Sequence, residues 1–150
     1  NQDRRPGAGR AGAAGAGVAR SGAMAASVLS LVAAACGAPV EVPLSPGYAA
    51  DVEPVVLERC ESCHRTGDVR GELLLERGRG YDQLVGRRSV QVPSLPLVAP
   101  GDPGSSYLWR KLEHTAAVGD GMPRGVLGAR RLPPAELELF RRWIESGAQP

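Results

Sequence analysis

Large rings are scarce in this chain: one Phe, two Trp and three Tyr in 150 residues. A domain of this length buries only a modest core by itself, and so few aromatics leave room for a large apolar cofactor at its centre. Sulfur and imidazole are scarce too, with three Cys, two His and two Met. That count excludes a Cys-rich zinc cage. The apolar run Met24 to Ala35 is too short to span a bilayer, which takes roughly 20 residues. A clustered basic face is also lacking. Arg87-Arg88, Arg130-Arg131 and Arg141-Arg142 are pairs and not patches, so they read as solvated surface and exclude a nucleic-acid footprint. No acid–base or nucleophilic constellation stands out, so substrate-converting activity is not indicated.

What the chain does have is backbone punctuation. Gly and Pro make up 33 residues, which predicts a loop-rich fold with short helices in a single domain. The formal charge of +2 comes from the N-terminus, where Arg4, Arg5, Arg10 and Arg20 face only Asp3. From Cys36 onward there are 14 basic and 15 acidic residues, a net of −1.

The most informative stretch is Cys60-Glu61-Ser62-Cys63-His64. Two cysteines three apart, followed at once by histidine, read as a site of covalent haem attachment. Each thiol adds to one vinyl group on the same porphyrin edge, so the sulfurs must lie one helical turn apart. The next residue then lies beneath the ring, where its imidazole reaches the iron. The ring nitrogen of His64 remote from the iron should donate to a carbonyl. A bare CxxC also reads as a redox dithiol or as half of a zinc site. The first wants a surrounding βαβ pattern, which is not visible. The second wants two more ligands, and only Cys36 and His114 remain.

Residues 1 to 22 are low-complexity Gly, Ala and Arg, which favours disorder. Met24 to Ala35 fits the apolar core of a secretory signal, with Arg20 as its positive flank. Cys36 follows three alanines and resembles the lipidated cysteine of a bacterial lipoprotein. Ala33 stands where such signals usually carry Leu, and simple cleavage after Ala35 fits as well. Lipidation at Cys36 would leave no orphan thiol, since Cys60 and Cys63 go to haem. Export and a periplasmic, membrane-anchored location follow, with residues 36–47 as an extended tether.

Within residues 48–148 the spacing of Tyr48, Val52, Val55, Val56 and Cys60 predicts a helix from Val52 to Cys63, capped by Asp51, with Pro54 in its first turn. Leu73 to Leu75 should cover the core within a loop, and Tyr81 to Val85 should be a short helix stopped by Gly86. Val90 to Pro100, with three prolines, should be extended but not a central strand. Asp102-Pro103 opens a helix running to about Glu113, with Tyr107, Leu108 and Leu112 inward. His114 at its end reads as a surface residue. The closing helix presents Leu137, Phe140 and Ile144, with Leu139 and Trp143 beside them, and ends before Gly147. Met122 sits in the loop Gly119-Asp120-Gly121-Met122-Pro123, and its thioether suits the sixth position of a haem iron.

Taken in order, CESCH, the Gly71-Glu-Leu-Leu-Leu75 run, PGDPGSSYLWRKL, GMP and ELELFRRWIESGA resemble the planctomycete-type cytochrome c domain, a relative of class I cytochromes c. The resemblance spans about residues 48–148. It implies a small all-α fold around one haem, with His64 and Met122 as axial ligands and redox proteins as partners. Such domains often accompany larger oxidoreductases. Pro133 departs from the family pattern, where Ser or Thr commonly caps the last helix. The function expected is single-electron transfer in the cell envelope. Two alternatives stand beside it: a haem with an open sixth site, acting as peroxidase or gas sensor, and a haem-bearing accessory subunit of a larger oxidoreductase.

Overall fold

A computed structural model describes residues 41–125 and 128–150. The expected signal segment and Cys36 lie outside the described residues. Of the expected tether, two points touch the domain: the Val42 carbonyl accepts a hydrogen bond from Arg142 at 2.8 Å while the Val42 side chain packs on the core, and Pro46 is buried; Pro43 to Ser45 between them are exposed.

The domain is small and mostly helical, with helices α1 (Glu53–Arg59), α2 (Gly80–Leu84), α3 (Tyr107–Glu113) and α4 (Pro134–Glu145). The all-α expectation needs one correction. Two short antiparallel hairpins are present, β1 (His64–Arg65) with β2 (Asp68–Val69), and β3 (Arg124–Gly125) with β4 (Gly128–Ala129). Strands of two residues are too short to leave an alternating pattern in the sequence.

The helix expected over Val52 to Cys63 is three pieces: a π-helical turn Tyr48–Val52, then α1, then a 3₁₀ turn Glu61–Cys63. Pro54 sits in the first turn of α1, where no intrahelical N–H is lost. Asp51 is not the cap. It lies inside the π-helical turn, and its carboxylate accepts from the Gly47 N–H at 2.9 Å. The helix expected from Asp102 to Glu113 is also divided. Asp102 caps a 3₁₀ turn Pro103–Ser105 by accepting from the Ser105 N–H at 3.1 Å, and Ser106 is extended before α3 begins. The buried Ser106 hydroxyl explains the break. It accepts from the Ala99 N–H and donates to the Asp102 carbonyl, each at 2.8 Å, so the side chain takes up the carbonyl that a continuous helix would have bonded to the Ser106 N–H.

The stretch from Val90 to Pro100 makes no regular strand, as expected, but it is not extended throughout: it bends at several positions, and the Leu95 N–H bonds the Val92 carbonyl at 2.9 Å to close a turn over Pro93 and Ser94. Nearby chain is held by isolated bridges, Val85 with Val98 and Arg88 with Pro96. α4 is the keel of the core. Leu139, Phe140, Trp143 and Ile144 are buried along it, so Leu139 and Trp143 belong to the centre of its apolar face while Leu137 is only half-buried. They meet Tyr48, Val52 and Val56 from the first helical segments, Leu84 from α2 and Leu112 from α3. α4 ends in a Schellman motif: the Gly147 N–H bonds the Ile144 carbonyl at 3.1 Å, and the Ala148 N–H bonds Trp143 at 2.8 Å. Gly147 at φ +101° supplies the left-handed turn this requires. No described helix is long and apolar enough to cross a membrane.

Candidate functional site

The end of α1 delivers Cys60, Cys63 and His64 together. The Cys60 N–H bonds the Val56 carbonyl at 2.9 Å, and the Cys60 carbonyl accepts from both the Cys63 and the His64 N–H at 3.1 Å. A turn with three residues per repeat aligns positions three apart, and both cysteines line one cleft of about 310 Å³. His64 also lines it, at the start of β1, where it pairs with Val69. The Leu75 N–H donates to the His64 carbonyl at 2.6 Å, which brings Leu73 and Leu75 onto the same cleft.

His64 is half-buried, and its Nδ1 is buried without a hydrogen-bond partner. The expected donation from the ring to a carbonyl is thus not made, although the carbonyls of Arg70 and Leu73 lie close enough to favour a protonated ring. Burial outweighs them and lowers the His64 pKa. Neutral imidazole is the form that binds a metal.

Cys60 has the opposite character to a redox dithiol. Burial, then the closeness of Cys63 and of the Glu136 carboxylate, pushes its thiol up to about 12, whereas reactive cysteines sit where the pKa is lowered. Cys60 and Cys63 are not joined by a disulfide. Among the described residues no cluster of three His, Cys, Asp or Glu side chains is arranged to hold a metal ion.

Met122 lines the cleft too, and His114 is not among its lining residues. The Met122 N–H donates to the Lys111 carbonyl at 2.8 Å. The Met122–Pro123 bond is cis. His114 caps α3 in the left-handed region at φ +61° and is not the surface side chain expected. It is half-buried, its Nε2 is buried without a partner, and its ring packs on Gly121, where a Cβ would collide with it.

Lys111 is a cleft residue that the sequence did not single out. It is only 6 % exposed and lies on the cleft. Its position four residues after Tyr107 and three after Leu108, on the inward face of α3, was the available signal. Tyr107 has a polar role as well as a packing one. Its hydroxyl donates to the Val118 carbonyl at 2.7 Å and lies 2.9 Å from Gln91 Oε1. Trp109 is half-buried and packs against the core.

These residues suit a haem. The lining includes Leu73, Leu75, Leu97, Leu108 and Leu112, with six basic residues (Arg59, Arg70, Arg87, Arg88, Lys111, Arg124) against Glu72 and Asp120; of these, Arg59, Arg70 and Arg124 pair with Glu136, Asp68 and Asp120, and Lys111 is buried on loop carbonyls. Leucines with an excess of basic over acidic residues in one cleft suit a flat apolar ring bearing carboxylates. Two thiols, an imidazole and a thioether make a donor set for its edge and its iron. Compared with known proteins, the chain matches no family model, no curated protein and no solved structure. The resemblance to the planctomycete-type cytochrome c domain therefore rests on the order of its motifs.

Proposed function

We propose that this chain is a monohaem c-type cytochrome carrying single electrons in the bacterial cell envelope. The observation that carries the reading is that Cys60, Cys63, His64 and Met122 all line one apolar cleft. Cys60 and Cys63 would hold the haem as thioethers, and His64 and Met122 would be the axial ligands of its iron. Bound there, the haem supplies a one-electron iron couple. The chain contributes the rest. Burial keeps His64 neutral, and the leucines lining the cleft would exclude water from the ring. The Met122 thioether is a soft donor suited to reduced iron. Met122 on the cleft, with His114 turned onto Gly121, favours His/Met ligation over an open sixth site. Partners are other redox proteins, and the location is periplasmic, with a lipid on Cys36 as anchor.

The test is chemical. Protein produced with the haem-attachment machinery should keep its haem on the denatured chain through acid–acetone extraction. Haem that washes out completely removes the covalent reading. For the anchor, Cys36→Ser should move the protein from the membrane fraction to the soluble periplasm, and a wild type already soluble there would rule out lipidation.

A further inference from the structure

We infer that Lys111 is the positioning residue for Met122, clamping the 118–121 loop so that the thioether stays on the cleft wall. The inference rests on Met122 being the iron ligand. Lysine is almost never buried without partners, and Lys111 is 6 % exposed. Its Nζ donates to the carbonyls of Val118 at 2.9 Å and Asp120 at 3.0 Å, and lies 5.0 Å from the centroid of the Tyr107 ring. Its own carbonyl accepts the Met122 N–H at 2.8 Å. One residue therefore grips the loop from both sides, by side chain and by backbone. Tyr107 reinforces the grip through its hydroxyl on the Val118 carbonyl.

The loop between these contacts has little rigidity of its own. Gly119 lies at φ +69°, and a Cβ there would press on Lys111 Nζ and on Gln91. Gly121 has no room for a Cβ against His114. Two glycines in four residues leave a backbone with many accessible states, and Val118 is 46 % exposed. Hydrogen bonds to an ammonium are stronger than neutral ones and act in a partly dry site. They restrict the loop to the conformation that keeps Met122 on the cleft.

The test uses the haem-loaded protein with Lys111→Gln, Tyr107→Phe and Met122→Ala. Two readouts are followed: hydrogen exchange of the Met122 amide and binding of added imidazole to the iron. Lys111→Gln is too short to reach both carbonyls and should raise both the exchange rate and the imidazole affinity about tenfold, the response expected when a closed state loses that much population. Tyr107→Phe removes one donor to Val118 and should shift both in the same direction by less. A folded Lys111→Gln protein with unchanged exchange and unchanged affinity overturns the clamp. Should Lys111→Gln not fold, Tyr107→Phe decides: a shift in both readouts supports the clamp, and no shift overturns it. Met122→Ala separates the two claims. If it raises imidazole affinity while Lys111→Gln does not, the ligand stands and the clamp fails. If it leaves the affinity unchanged, Met122 is not the ligand, and its positioning by Lys111 falls with it.

Discussion

The two walls of the cleft are built by different means. The Cys60–His64 wall is made by the backbone over a few residues: Cys60 bonds back to Val56, Cys63 and His64 bond back to Cys60, and His64 pairs with Val69 across a hairpin. The Met122 wall is held across longer separations, by Lys111 and Tyr107 reaching from α3 to loop carbonyls, by the Met122 N–H on the Lys111 carbonyl, and by the Arg130 N–H on the Pro123 carbonyl at 3.0 Å. A wall made of consecutive backbone bonds forms with its own helix. A wall made of side chains gripping a glycine loop can open by itself, because local openings need break only those few contacts. The contrast suits the proposed roles, a permanent covalent attachment on one side and a releasable thioether on the other.

Removing what the walls share should have the largest effect. α4 packs against both the Tyr48–Val52 turn and α3. Trp143, with no exposed surface, stands at their junction, its ring centroid 5.5 Å from that of Tyr48. Trp143→Ala should cost about 3–5 kcal/mol, as large-to-small changes of buried aromatics do, read as a lower midpoint in urea. A loss below about 1 kcal/mol would mean that the walls stand independently of α4.

Breaking one wall comes next. Met122→Ala should open the reduced iron to carbon monoxide, remove the weak sulfur-to-iron absorption band and lower the reduction potential. His114→Ala should leave all three unchanged, since His114 is turned away onto Gly121. The reverse result would make the protein a bis-histidine cytochrome and would require a rearranged α3 terminus.

The smallest effect should come from a change remote from both walls. Hydrogen bonds from Arg141, then Arg142, hold the Glu138 carboxyl at about 2 instead of its ordinary 4.5. A depressed folded-state pKa adds stability that is complete above the unfolded value and is lost as pH falls through the folded one. Glu138→Gln should therefore be slightly less stable than wild type above pH 4.5 and indistinguishable from it near pH 2. Thermal unfolding across that range checks the sign. The group is solvated, so screening keeps the difference small.

What could be read from the sequence follows the same division. CxxCH carries its geometry in three residues of spacing. The apolar stripe of α4 needs only helical periodicity, and Asp102-Pro103 announces a helix start through one cap. Each is local information. The break at Ser106 depends on Ala99, seven residues away, and so left no local trace. Asp51 has the chemistry of a cap, but its carboxylate turned back to Gly47 once the first turn became π-helical. The α3 clamp needed the knowledge that a glycine loop returns beneath Lys111. His114 was misplaced for the same reason, because its burial depends on Gly121 folding over it.

The carbonyls at the C-terminus draw several elements together. Gln149 accepts from the Tyr48 N–H at 3.0 Å and from Trp143 Nε1 at 2.8 Å, and Ala148 accepts from the Tyr81 hydroxyl at 3.1 Å. A Cβ on Gly47 would lie 3.3 Å from the Pro150 carbonyl. The domain is thus nearly a closed ring, its first turn tied to residues 148–150. A short peptide joining its two ends would span almost no distance. Such a cyclised or circularly permuted domain should keep both walls of the cleft while its unfolded chain loses freedom.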